Sequence, residues 1–138
     1  MTRPAAATAL GLPAAERVMG EYLAALRERS YEAQCLHRGT IRRFLAYCRD
    51  AREQPADRLL IDRPLLLRWL TRACAGVAVA YARQRLSVLA NYARALAQAG
   101  VTATDVMAEF KADHGGVGWR RVVLALRSAD PAAALAAL

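Results

Sequence analysis

Apolar residues return every three or four positions along most of this chain, the period of a helix with one buried side. Val18, Met19, Tyr22, Leu23 and Leu26 make the first such stripe and predict a helix over about Ala14–Arg29. Ser30 is a good N-cap for a second, about Tyr31–Arg52, and Glu32 suits its positive N-terminal end. There His37, Ile41, Phe44, Leu45 and Cys48 share a side. "EQPADRLLID", 53–62, is a connection whose Asp62 caps a third helix, with Pro64 in its first turn. Leu66, Leu67, Trp69 and Leu70 give that helix its bulk as far as about Ala75, and Gly76 breaks it. The longest pattern is "AYARQRLSVLANYARALAQAG", 80–100, in which Ala82, Leu86, Leu89, Ala93 and Leu96 align and Gly100 is the stop.

Beyond Gly100 the period weakens. "TATDVMAEFKAD" predicts a short helix capped by Thr102 or Thr104, with Val106, Met107 and Phe110 inward. "HGGVG", 114–118, reads as a flexible joint. "WRRVVLALRSA" is a further amphipathic piece with Trp119, Val122, Val123 and Leu126 together. "DPAAALAAL" is either a short capped helix or a loose apolar tail. No strand pair emerges. The expectation is an all-α protein: a flexible lead-in over 1–13, a four- to five-helix bundle over 14–112, and a glycine hinge with a helical, apolar tail over 113–138.

The polar positions are as ordered as the apolar ones. At about 100° per residue, Arg38, Arg42 and Arg49 gather roughly 60–100° from Ile41, a basic edge beside the buried side. On the longest helix Arg83, Ser87 and Arg94 fall within roughly 40° of one another, with Asn91 beside them. No Asp or Glu occurs between residues 80 and 100, whereas a face that is only solvated mixes signs. Arg85 stands apart at the edge of the apolar face, where its stem packs and its head snorkels out or pairs with an acid.

Composition adds two constraints. Hydrophobic residues form 56% of the 138, enough for a core, and with only two Phe that core is built from Leu, Val and Ala. The net charge is +8, almost all of it from arginine, since Lys111 is the single lysine. Such an excess points to a polyanion, nucleic acid before an acidic membrane surface, unless it is merely a basic solvated exterior.

Catalytic chemistry is harder to find. Cys35, Cys48 and Cys74 form no CxxC pair, and Cys35 and Cys48 lie about 20 Å apart along one helix, too far to bridge. They read as small buried thiols in a reducing compartment. With His37 and His114 as the only histidines, no metal spacing exists. His37 falls on an apolar face and reads as a satisfied core residue; His114 sits in a loop. HGGVG lacks the strand, spacing and lysine of a phosphate loop. The acids form no general acid–base pair, so the expectation is a non-enzyme with no cofactor, metal or small-molecule substrate. "MTRPAAATALGLPAAE" makes a poor signal peptide, and no run approaches the about eighteen apolar residues of a membrane span, which suggests the cytoplasm.

The order of "SYEAQCLHRGTIRRFLAYC", a Pro-bearing connection, "IDRPLLLRWL" and "YARQRLSVLANYARALAQAG" resembles the N-terminal core-binding domain of tyrosine recombinases of the phage-integrase type. His37, Ile41, Phe44 and Leu45 stand at the family's helix positions. Arg85-Leu86-Ser87-Val88-Leu89, then Asn91-Tyr92 and Gly100, resembles its "RLSALRxFYxxLxxxG" helix. The resemblance covers about residues 16–106. It implies an orthogonal bundle forming half of a clamp around duplex DNA, with the second and fourth helices against the DNA, and protomer contacts in a synapse. It therefore singles out Arg38, Arg42, Arg83 and Arg94, already placed outside the core by the wheel; Arg49, Ser87 and Asn91 complete the candidate set.

The family's catalytic pattern has no counterpart here. His114 is followed by Gly115, Gly116 and Val117 rather than by an arginine at the third place, and the tyrosines, at 22, 31, 47, 81 and 92, all lie within the helical segment. The expectation is a DNA-binding module without strand cleavage, either stand-alone or truncated. The alternative is a protein–protein module whose tail, Trp119–Leu138, docks on a partner recombinase or on a second copy.

Overall fold

A computed structural model describes residues 11–138. It is all-helical, with seven helices and no strand among the described residues: α1 (Gly11–Ala25), α2 (Tyr31–Ala51), α3 (Arg63–Cys74), α4 (Val79–Gln98), α5 (Val106–Asp113), α6 (Trp119–Leu126) and α7 (Pro131–Ala136). The lead-in expected over 1–13 lies outside the described residues up to position 10, and α1 already contains Gly11. At its other end α1 stops at Ala25, ahead of the expected Arg29, in a turn closed by backbone bonds such as Arg29 N to Leu26 O.

The local signals act as their chemistry requires. Ser30 caps α2 by accepting from Ala33 N at 3.1 Å, and Asp62 caps α3 by accepting from Leu65 N at 2.9 Å. Gly100, at φ 76°, ends α4 with a bond from Val101 N to Leu96 O, the wrap that a left-handed residue permits. Two expectations need correction. The cap of α5 is Asp105, which accepts from Ala108 N, not Thr102 or Thr104. Asp105 is the residue immediately before the first turn, while the threonines bond to the Thr104 carbonyl and to Glu109. HGGVG, read as a joint, contains a helix stop: Gly115 (φ 82°) turns the chain so that Gly116 N bonds Lys111 O.

α4 is the hub, packed against α1, α2, α3, α5 and α6. Leu86, Leu89, Tyr92 and Leu96 are fully enclosed there, beside Ile41 and Phe44 of α2 and Leu66 and Leu70 of α3. The Tyr92 hydroxyl donates to Ala15 O at 2.6 Å, which ties α1 to the hub and satisfies a buried polar group. Gln54 braces the 53–62 connection, bonding Cys48 O and both backbone groups of Leu60. α6 inserts Val122, Val123 and Leu126 into the same core, and α7 seats Leu135 on it. Residues 131–136 are thus the capped helix, with Asp130 accepting from Ala133 N, rather than the loose tail.

Candidate functional site

The candidate residues occupy three environments. Arg42 and Arg83 are exposed and form no ion pair among the described residues; Arg94 and Asn91 are exposed, and Ser87 is half-buried. Arg38 is half-buried on α2. Arg49 is exposed but meets the carboxylate of its neighbour Asp50 at 3.5 Å, so its charge is partly compensated.

Tyr22 of α1 gathers one end of this set. Its hydroxyl lies 3.0 Å from His37 Nδ1, next to Arg38 in sequence, and its ring meets Tyr92 edge-on at 6.1 Å. Burial raises the Tyr22 pKa, against the opposite pull of the Asn91 side chain and the charges of Arg29 and Arg94. Asn91 and Arg94 therefore stand at the junction of α1, α2 and α4. Arg83 lies eleven residues earlier on α4 and Arg49 eleven beyond Arg38 on α2, each roughly 16 Å along its own axis. The candidate residues thus follow two helices that pack together, rather than converging on a point.

Burial also sorts the thiols and histidines. Cys48 and Cys74 are enclosed, their pKa values pushed up to about 12 and about 11, chiefly by burial, which suits inert packing groups. Cys35, expected inside, is exposed, because its place on α2 faces away from the hub. His37 finds its partner in Tyr22, and His114 packs against Phe110 at 4.7 Å. No group of three metal-binding side chains occurs among the described residues, and no helix there is long and apolar enough to cross a membrane.

Three arginines that the sequence did not single out stand together. Arg43 of α2, with Arg68 and Arg72 of α3, lines a groove of about 680 Å³ between α2, α3 and α4, and Arg85 closes it from α4. Arg68 Nε donates to the Tyr47 hydroxyl at 3.3 Å, and the Arg72 guanidinium lies 5.3 Å from the centre of the same ring. Arg85 neither snorkels fully nor finds an acid. It donates from Nη1 to Ala73 O at 2.8 Å and lies over Tyr81 at 4.7 Å, leaving Nε buried and unpartnered. The i, i+4 spacing of Arg68 and Arg72 was visible in the sequence; their convergence with residues of two other helices was not.

No protein-family model, curated protein or solved structure matches this chain.

The arrangement can bind anions along two helices and within one groove. Its guanidinium groups supply paired donors that suit phosphate oxygens. Ser87 and Asn91 add neutral donors and acceptors between Arg83 and Arg94.

Proposed function

We propose that this protein is a duplex-DNA-binding module of a site-specific recombination system, gripping DNA with α2 and α4 through Arg38, Arg42, Arg49, Arg83, Ser87, Asn91 and Arg94. The observation that carries the reading is the lack of any ion-pair partner for Arg42, Arg83 and Arg94 among the described residues, on two helices that pack against each other. Charge left uncompensated on neighbouring helices favours a polyanionic partner, and guanidinium groups serve both phosphates and guanine edges. The resemblance of residues 16–106 to the core-binding domain of tyrosine recombinases supports the same pair of helices and supplies the orthogonal-bundle expectation. The proposal covers binding alone and assigns no strand cleavage.

Fluorescence anisotropy with duplex DNA over a salt series tests it. About four neutralised phosphates give a slope of log K against log salt of roughly −3 to −4. Replacing Arg83 and Arg94 by Ala should weaken binding about ten-fold or more and flatten the slope by about 2. Binding indifferent to salt or to those replacements would refute the reading.

The protein–protein alternative loses part of its motive. Leu135, the apolar anchor of the tail, is 2% exposed against the chain's own core.

A further inference from the structure

The groove between α2, α3 and α4 has a chemistry that the outer helical stripes do not use. Its volume of about 680 Å³ lies within the about 300–1,000 Å³ typical of small-ligand sites. Arg43, Arg68, Arg72 and Arg85 line it against one carboxylate, Asp50, which already faces Arg49. None of the four makes an ion pair among the described residues. Arg68, Arg72 and Arg85 meet a phenol, two aromatic rings and a backbone carbonyl, which hold these guanidinium groups in place without neutralising them.

A second observation concerns the groove wall. Thr40 is 1% exposed and its hydroxyl has no hydrogen-bond partner; Arg85 Nε is likewise enclosed and unpartnered. Both atoms are sealed from the groove, so binding falls to the guanidinium groups that line it.

We propose that this groove is a phosphate-binding site, in which Arg43, Arg68, Arg72 and Arg85 hold the oxygens of a phosphate group. Four guanidinium groups lining one groove exceed what its single carboxylate can accept, whereas the oxygens and charge of a phosphate suit them. The phosphate belongs either to a small phosphorylated ligand or to a nucleic-acid strand. The site stands on residues separate from those assigned to duplex DNA above, so it does not depend on that reading.

Calorimetric titration with pyrophosphate at constant ionic strength is the test. Wild-type protein should bind with a Kd of about 1 mM or tighter. The double variant Arg68→Ala/Arg72→Ala should lose about ten-fold or more, and Arg43→Gln, at an exposed position on the groove, several-fold. Circular dichroism checks that both variants fold, and should the double variant fail to fold, Arg43→Gln decides alone. Absence of binding at about 10 mM pyrophosphate, or wild-type affinity in both variants, overturns the proposal. The replacement of Arg83 and Arg94 by Ala should leave pyrophosphate binding unchanged, which separates this site from the outer stripes. A labelled duplex then identifies the source: displacement by pyrophosphate that is lost in Arg68→Ala/Arg72→Ala assigns the phosphate to a strand. Pyrophosphate binding that leaves duplex affinity untouched assigns it to a small ligand. Either result supports the phosphate site.

Discussion

Helix α3 uses arginine in opposite ways at its two ends. Near its start, Arg63 donates from Nε to Asp113 at 2.7 Å and from Nη1 to Glu109 at 3.3 Å, pinning α3 to α5. The hydrogen bond it donates to Asp113, and less strongly that to Glu109, raises its pKa against the opposing effect of burial. About one and a half and two and a half turns further on, Arg68 and Arg72 have Tyr47 for company and no carboxylate of their own. Arg127 shows a third use, bonding the Cys74 and Val77 carbonyls where α3 ends. A net charge of +8 therefore distributes into tethers, caps and uncompensated groups, and only the last mark a surface that wants an anion.

The largest expected effect tests what holds the uncompensated end in shape. Phe44 is 1% exposed and meets Trp69 edge-on at 5.2 Å, so it joins α2 to α3, the two long walls of the groove. Phe44→Ala should cost about 3–5 kcal/mol in urea unfolding and take pyrophosphate binding with it. A cost under about 1 kcal/mol would mean that the walls are held elsewhere and that the groove is a looser feature than its packing indicates.

A smaller effect separates the two ends directly. The side chains of Arg63, Glu109 and Asp113 are 45%, 42% and 49% exposed, so solvent screens their attraction. Arg63→Ala should cost at most about 1 kcal/mol and leave affinity for pyrophosphate and for duplex DNA unchanged. A substantial loss of either affinity would show that uncompensated charge is the wrong criterion for choosing among these arginines.

The elements were legible because their signals are local. Asp62 with Pro64, Ser30 with its free backbone donors, and Gly100 each act within one helical turn, and the apolar stripes of α2, α4 and α6 name most of their buried residues, with His37 and Trp119 left half-buried. The cap of α5 differs from the expected Thr102 or Thr104 because Asp105 stands beside them, and only backbone conformation decides which side chain faces the first turn. The outer stripes on α2 and α4 were legible one helix at a time, since a wheel gives the angle from the core but not the neighbour across it. The groove was not legible. Arg43, Arg68 and Arg85 come from three helices whose mutual packing sets their meeting, and no spacing along the chain encodes it. Arg85 was the nearest hint: a guanidinium at the edge of an apolar face must satisfy its donors somewhere, and here one of them goes unsatisfied.

The smallest effect concerns a further arginine environment, at the junction of α1 and α2, where a positive charge faces a titratable group. Burial first, and the Arg29 charge second, hold the His37 pKa below its ordinary value of 6.5. The neutral ring can accept the Tyr22 O–H at Nδ1, 3.0 Å away, and protonation removes that acceptor. As pH falls, the unfolded chain therefore takes up this proton before the folded one does. The contribution of His37 to stability is complete above about pH 6.5 and declines as pH drops from there toward the lowered folded value. Because the ring is only half-buried, the change should stay under about 1 kcal/mol. Thermal unfolding at about pH 7.5 and about pH 5.5 should show a modestly larger loss of Tm for wild type than for His37→Gln, since the carboxylates titrate mostly below this window. An equal loss in both proteins would mean that Arg29 and burial do not act on His37, and that the junction differs less from the arginine-lined groove than its geometry indicates.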